Sequence, residues 1–166
     1  MVTIRRILVP TDLSNHSLVA LEYASSFSVL YDARLFLLHV ADVVPPVLPL
    51  PVEEGGSDVY RRRAEEEAAR LLQAFVEGHI SRDIRLTPVV RIGAPADEIR
   101  RFAEDEHMDL VVMATHGRTG LRHIVMGSIA ETVVRHSRVP VLTVKPPELR
   151  ESFIRIEDIE NELHLK

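Results

Sequence analysis

At 166 residues with 46% hydrophobic content, the chain is long enough to bury one substantial core and short for two full domains. A formal net charge of -5 excludes the broad basic surface that general nucleic-acid binding needs, and the absence of cysteine excludes disulfides, thiolate metal sites and cysteine nucleophiles. The N-terminal MVTIRRILVP has too few apolar residues for a signal sequence, and no apolar run reaches membrane-spanning length, so the chain is expected to be soluble and cytoplasmic, with no membrane contact.

Ile4 to Val9 is a short β-branched run that stops at Pro10, as a buried strand does, and Ser14 or Asn15 can cap the helix that follows. In that helix Leu18, Leu21, Tyr23, Ala24, Phe27 and Leu30 recur at mostly three- and four-residue steps, which predicts one inward face. Arg34 to Val40 (RLFLLHV) is almost continuously apolar and reads as a strand covered on both faces. Four prolines and two glycines in the next eighteen residues, ADVVPPVLPLPVEEGGSD, predict an irregular surface loop, either a lid or partner site or a plain connection.

Ser57 or Asp58 opens a long amphipathic helix to about Gly78, with Ala64, Ala68, Leu71, Leu72 and Phe75 inward. Its Arg61 to Arg63 and Glu65 to Glu67 read as a solvated face paired at helical spacing. Ile84 to Ile92 is a third strand, Gly93 and Pro95 start a helix through about Glu106, and Leu110 to Ala114 is a fourth strand. A helix from Gly127 or Ser128 to His136 and a fifth strand, Val139 to Val144, complete the series.

Strands alternating with helices require crossover connections, which predicts an α/β fold: an open, mostly parallel five-stranded sheet with helices on both faces, Rossmann-like. Residues 1–146 are expected to form this domain and 147–166 a C-terminal tail. The tail has enough Ile, Phe and Leu to pack as an amphipathic appendage, on the domain or on a second subunit, and a frayed terminus is the alternative.

In such a sheet the ligand crevice lies beyond the carboxyl ends of the strands, where strand order reverses. Three segments should arrive there: Pro10, Thr11 and Asp12 from the first strand; His39, Val40 and Asp42 from the second; and Met113, Ala114, Thr115, His116 and Gly117 from the fourth. Asp12 can accept ribose hydroxyl hydrogens, the peptide groups of Val40 can meet a flat base edge, and the glycine loop that ends at Gly127 and Ser128 can hold phosphates against bare backbone N–H groups. Each residue has a plainer role open to it. Asp12 can simply form a helix-initiating turn, Val40 can be core, Gly117 and Gly120 can serve a tight turn, and Gly127-Ser128 can merely begin a helix. Arg118 and Arg122 are better phosphate candidates than His116 and His123, because a guanidinium fork matches phosphate oxygens, while surface histidines without a function are common.

Three blocks, ILVPTDLS, LLHV and VMATHGRTGLRHIVMGSIAETVVRHSRVPVLTV, make the chain resemble the universal stress protein family from about Ile4 to Val144. The nucleotide-binding branch of that family carries Gly, two residues, Gly, nine residues, then Gly followed by Ser or Thr. Here those places hold Ala114, Gly117, Gly127 and Ser128, so the first glycine is replaced by alanine, which adds one methyl group. The resemblance implies an adenine nucleotide alpha hydrolase-like fold and an ATP pocket (ADP or AMP being the variants), with Mg2+ accompanying the triphosphate. Pro10, Thr11 and Asp12 would lie near the nucleoside, Val40 beside adenine through its main chain, and Met113 against the base. Gly117, Arg118, Gly120, Gly127, Ser128 and Ile129 would surround ribose and phosphates. It also implies a homodimer through Val139 to Val144.

On this footing the expected function is that of an ATP-binding stress-response protein, a nucleotide-dependent regulatory or binding module with at most slow ATP hydrolysis. The alternatives are a phosphate-cleaving or phosphate-transferring enzyme and an assembly module that binds no nucleotide. Against dedicated catalysis, the chain has no G-x-x-x-x-G-K-[ST] motif, no G-x-G-x-x-G after the first strand, and no glycine-serine loop within VPTDLS. No catalytic residue and no metal ligand is assigned from the sequence, and the downstream partner is not legible in it.

Overall fold

A computed structural model of the chain describes residues 3–41, 56–115, 126–145, 154 and 156–163. The elements along them are β1 (Arg6–Thr11), α1 (Asn15–Tyr31), β2 (Arg34–Ala41), α2 (Gly56–His79), β3 (Leu86–Ile92), α3 (Pro95–Asp105), β4 (Leu110–Ala114), α4 (Ser128–His136), β5 (Val141–Val144) and α5 (Ile156–Glu162). The strands form one all-parallel, five-stranded sheet in the order β3-β2-β1-β4-β5. This is the α/β architecture that the alternating pattern predicts.

The apolar runs of the inner strands explain the layering. Ile7, Val9, Leu35, Leu37 and Val112 pack with α1, α2 and α5 on one face, and Leu8, Leu38, Val111 and Met113 pack with α3 and α4 on the other. Alternate side chains of one strand thus feed two cores, which is why those runs are continuous rather than alternating. Each fully buried Leu or Ile contributes about 1.5–3 kcal/mol relative to exposure. Among the described residues, no helix is long and apolar enough to cross a membrane.

Strand boundaries shift for identifiable reasons. β1 does not stop before Pro10; it runs to Thr11. The carbonyl of Arg5 accepts from Arg34 N–H on the β2 side, and that of Arg6 accepts from Asp109 N–H on the β4 side. Even-numbered β1 residues therefore bond towards β4, where the ladder covers only Ile7↔Leu110 and Leu8↔Val111. Pro10 faces that side past the end of the ladder, so its missing N–H interrupts no pair. β3 starts at Leu86 rather than Ile84, because Leu86 N–H donates back to the Ile84 carbonyl at 2.8 Å in a tight turn. β5 starts at Val141 rather than Val139, because the Ser137 hydroxyl donates to the Val139 carbonyl (2.8 Å) and accepts from its N–H (3.1 Å).

Three residues expected inward point out. Tyr23 and Leu30 on α1 and Leu71 on α2 are exposed, whereas Leu18, Leu21, Ala24, Ala68, Leu72 and Phe75 are buried as expected. The buried face of α1 also includes Ser17, Ser25 and Ser28, so polarity alone misplaces its centre by part of a turn. On α2 two arginines pair with glutamates at helical spacing, Arg61 of the expected cluster with Glu65, and Arg70, outside that cluster, with Glu67. Of the tail, Ile154 and Ile159 are buried in the core beneath α1 and α2. Ile154 is tied to the end of α2 by two backbone bonds, its N–H to the His79 carbonyl (2.8 Å) and Ser81 N–H to its carbonyl (2.9 Å). The appendage reading of these residues holds, and they dock on their own domain.

Candidate functional site

The sheet changes direction between β1 and β4: β2 and β3 extend to one side of β1, while β4 and β5 extend to the other. β1 pairs with β2 through six residues but with β4 through only two, at their amino ends. The carboxyl halves of β1 and β4 are thus unpaired with each other, and their divergence at the reversal point is where open parallel sheets form a ligand crevice.

On the β1 side of this crevice, the chain leaves the sheet through a tight turn. Leu13 has φ 63, a left-handed conformation uncommon for a residue with a branched side chain. Leu13 N–H donates to Thr11 Oγ1 (3.0 Å), Thr11 Oγ1 shares a hydrogen bond with Ser17 Oγ (2.7 Å), and Ser14 N–H donates to Asp12 Oδ1 (3.1 Å). The Ser14 hydroxyl also donates to Asp12 Oδ1, at 2.5 Å. Asp12 does perform the helix-initiating role foreseen as its plainer reading, since Ser14 at the N-cap makes no capping bond of its own.

β2 contributes Val40 at the same edge. Arg34 N–H bonds towards β1 and Leu35 N–H towards Arg85 before β3, so even-numbered β2 residues present their peptide groups to the β1 side. Val40 does so where β1 is ending. The next β1-side amide, that of Leu13, is committed to Thr11 Oγ1 and does not continue the ladder.

β4 and α4 supply the opposite wall. Thr115 N–H donates to the Val144 carbonyl (2.9 Å), and the Thr115 carbonyl accepts from Gly127 N–H at 2.7 Å. The two ends of the glycine-containing segment are thereby clamped together, with Ala114 and Thr115 on one side and Gly127, Ser128 and Ile129 on the other. Gly127 is the N-cap of α4 and has no side chain to occupy the first amides of that helix. A Cβ placed on Gly127 would sit 3.3 Å from the Thr115 carbonyl oxygen, a tight contact against backbone. Among the described residues no side chain caps this helix start, whose first N–H groups point out of the helix and carry partial positive charge.

The structure therefore brings Pro10, Thr11, Asp12, Val40, Met113, Ala114, Thr115, Gly127, Ser128 and Ile129 to the carboxyl edge of the sheet. Met113 is buried in the core on the α3 and α4 face. Asp42, His116, Gly117, Arg118, Gly120, Arg122 and His123 lie outside the described residues. Sequence reasoning gave no role to two residues that shape this edge, Ser17 and His39. A histidine closing an otherwise apolar strand run was the available signal for the second. Among the described residues no group of three or more His, Asp or Glu side chains is arranged to hold a metal ion.

Comparison with known proteins agrees with this architecture. The model of the universal stress protein family matches residues 3–145, and the chain belongs to that family. It is 35% identical over 144 residues to the universal stress protein MJ0531 of Methanocaldococcus jannaschii, a match covering 87% of this chain and 84% of that protein. The solved structure of MJ0577, from the same organism, superposes with a TM-score of 0.69 at 32% identity, covering 89% of this chain and 99% of that one. A universal stress protein family protein of Arabidopsis thaliana, solved with AMP bound, shares the fold with a TM-score of 0.56 at 18% identity, covering 87% of this chain and 93% of the other.

Proposed function

We propose that this universal stress protein belongs to the branch that binds ATP, with ADP and AMP as further ligands, and that it works as a nucleotide-dependent regulatory module rather than a dedicated enzyme. The clamp between Thr115 and Gly127, set across the crevice from Asp12 and Val40, carries this reading. It sets the α4 amides of Ser128 and Ile129, which no described side chain caps, at the sheet edge where a nucleoside has polar partners. The AMP bound by the Arabidopsis relative supports an adenine nucleotide as the ligand class.

In this reading the α4 start meets phosphate, Asp12 accepts from ribose hydroxyls, Pro10 and Thr11 shape the nucleoside wall, and Val40 offers its main chain to the base edge. Gly117, Arg118 and Gly120, together with Thr115 and His116, are the further phosphate-site residues of this reading, and Met113 backs the base. An Mg2+ would be carried in on the phosphate oxygens rather than held by a protein cage of its own. Residues 1–146 act as the nucleotide-binding unit, with 147–166 appended to it, in a cytoplasmic homodimer joined through Val139 to Val144. A nucleotide shifts such an assembly only by binding one of its states more tightly.

Mass spectrometry of small molecules released from freshly purified protein, followed by calorimetric titration with Mg-ATP, tests the reading. An adenine nucleotide in the first measurement and saturable heat in the second are expected. No released nucleotide together with no heat overturns it in favour of an assembly module.

A further inference from the structure

We propose that His39 is a positioning residue: its imidazole fixes the peptide plane from which Asp12 leaves the sheet. His39 Nδ1 lies 3.0 Å from the Thr11 carbonyl oxygen, across the β1–β2 pair in which Thr11 and His39 are register partners. A carbonyl can only accept, so Nδ1 carries the proton, and in the neutral ring Nε2 is the acceptor nitrogen. The ring is buried, 9% exposed, at the end of a strand whose four preceding residues are all apolar and buried. A leucine would suit such a position by burial alone.

What sets this bond apart is what lies beyond it. The Thr11 carbonyl belongs to the same rigid peptide unit as the Asp12 N–H, so holding the oxygen holds the direction in which the Asp12 Cα departs. One residue later the backbone enters the left-handed region at Leu13 (φ 63), a conformation that persists only where its surroundings enforce it. The Thr11 side chain grips the far side of the turn through Leu13 N–H and Ser17, while the Thr11 main chain is gripped by His39. Thr11 is thus fixed at two points, one towards α1 and one towards β2, and the turn carrying Asp12 hangs between them. The consequence for ligand affinity rests on the nucleotide-binding reading above; the consequence for the turn does not.

The test compares His39→Asn, whose side-chain amide places a donor where Nδ1 stands, with His39→Leu, which keeps bulk and has no donor. In the full-length protein, hydrogen exchange of the Leu13 and Ser14 amides is expected to quicken at least tenfold in His39→Leu, relative to core amides such as Leu37, and to stay near the parent value in His39→Asn. Mg-ATP affinity is expected to fall about tenfold in the first and to recover in the second. Unchanged exchange at Leu13 and Ser14 in His39→Leu, or equal acceleration in both variants, overturns the proposal. Should the parent protein bind no Mg-ATP, the nucleotide reading fails while the exchange comparison still decides the role of His39. Nitrogen NMR of the parent imidazole adds a measurement that needs no variant: the Nδ1–H tautomer is expected, and the Nε2–H tautomer overturns the assignment.

Discussion

Gly127 N–H donates to the Thr115 carbonyl at 2.7 Å, and this single bond closes the base of the segment between β4 and α4. It places the end of an inner strand against the start of a helix whose cap residue has no side chain. Gly127→Val therefore has two separable effects. The new Cβ meets the Thr115 oxygen at 3.3 Å, costing about 1–2 kcal/mol of stability, and its branches cover the first α4 amides. The variant is expected to remain folded in chemical denaturation and to bind Mg-ATP at least tenfold more weakly in calorimetry. Parent-like affinity in a folded variant counts against phosphate at this helix start.

Asp12 anchors the turn into α1 through Ser14 and, in the proposed site, also meets ribose. The two roles separate by substitution. Asp12→Asn keeps an acceptor oxygen for Ser14 and is expected to unfold within about 0.5 kcal/mol of the parent while binding nucleotide several-fold more weakly. Asp12→Ala loses the turn bond as well, about 1 kcal/mol, and is expected to lose affinity tenfold or more. If Asp12→Ala is destabilised yet binds Mg-ATP like the parent, Asp12 serves the turn alone.

The tail is a structural part of the domain at Ile154 and Ile159, both buried with α1 and α2. Truncating either to alanine leaves a cavity in that core, and each is expected to cost about 2–4 kcal/mol in urea denaturation. The proposed nucleotide site lies at the carboxyl edge of the sheet, away from the bridge between Ile80 and Ile154, so affinity measured well below the unfolding midpoint is expected to stay within twofold. A neutral effect on stability contradicts the docking.

β5 is an edge strand, and its pairing pattern offers a clean test of a dimer joined along it. The carbonyls of Pro140 and Val144 accept from Val111 and Thr115, so even-numbered residues there face β4 and Val141 and Thr143 face the open edge. Thr143→Pro removes an outward N–H without touching the β4 ladder. Sedimentation equilibrium is expected to give a dimer for the parent and a folded monomer for Thr143→Pro. A dimer that survives the substitution is not built on strand pairing at β5.

The sheet was legible because its inner strands are buried on both faces: ILV, LFLL and VVM each leave little choice but a covered strand. That a site would lie at the carboxyl edge followed from the alternation, since parallel strands all end on the same side of the sheet; that β1 and β4 flank the reversal needed the strand order. Side-chain facing on the helices was less legible. α1 buries three serines along with its leucines, so the apolar pattern pointed to Tyr23 and Leu30, which lie on its outer flank. Pro10 looked like a strand end because sequence does not reveal which neighbour an N–H would have served. The role of His39 was hidden for a related reason: a bond from a side chain to the carbonyl of its register partner needs the pairing, not the pattern. The same holds for the clamp between Thr115 and Gly127, which joins residues eleven intervening positions apart.

Amide chemical-shift mapping during titration with Mg-ATP tests the central claim most directly, because it reports where the ligand sits without altering the protein. The largest saturable shifts are expected at Gly127, Ser128 and Ile129, with a second group at Thr11, Asp12 and Val40. Saturable shifts confined to another surface, such as the α1–α5 face, or no shifts at millimolar nucleotide, would contradict the account.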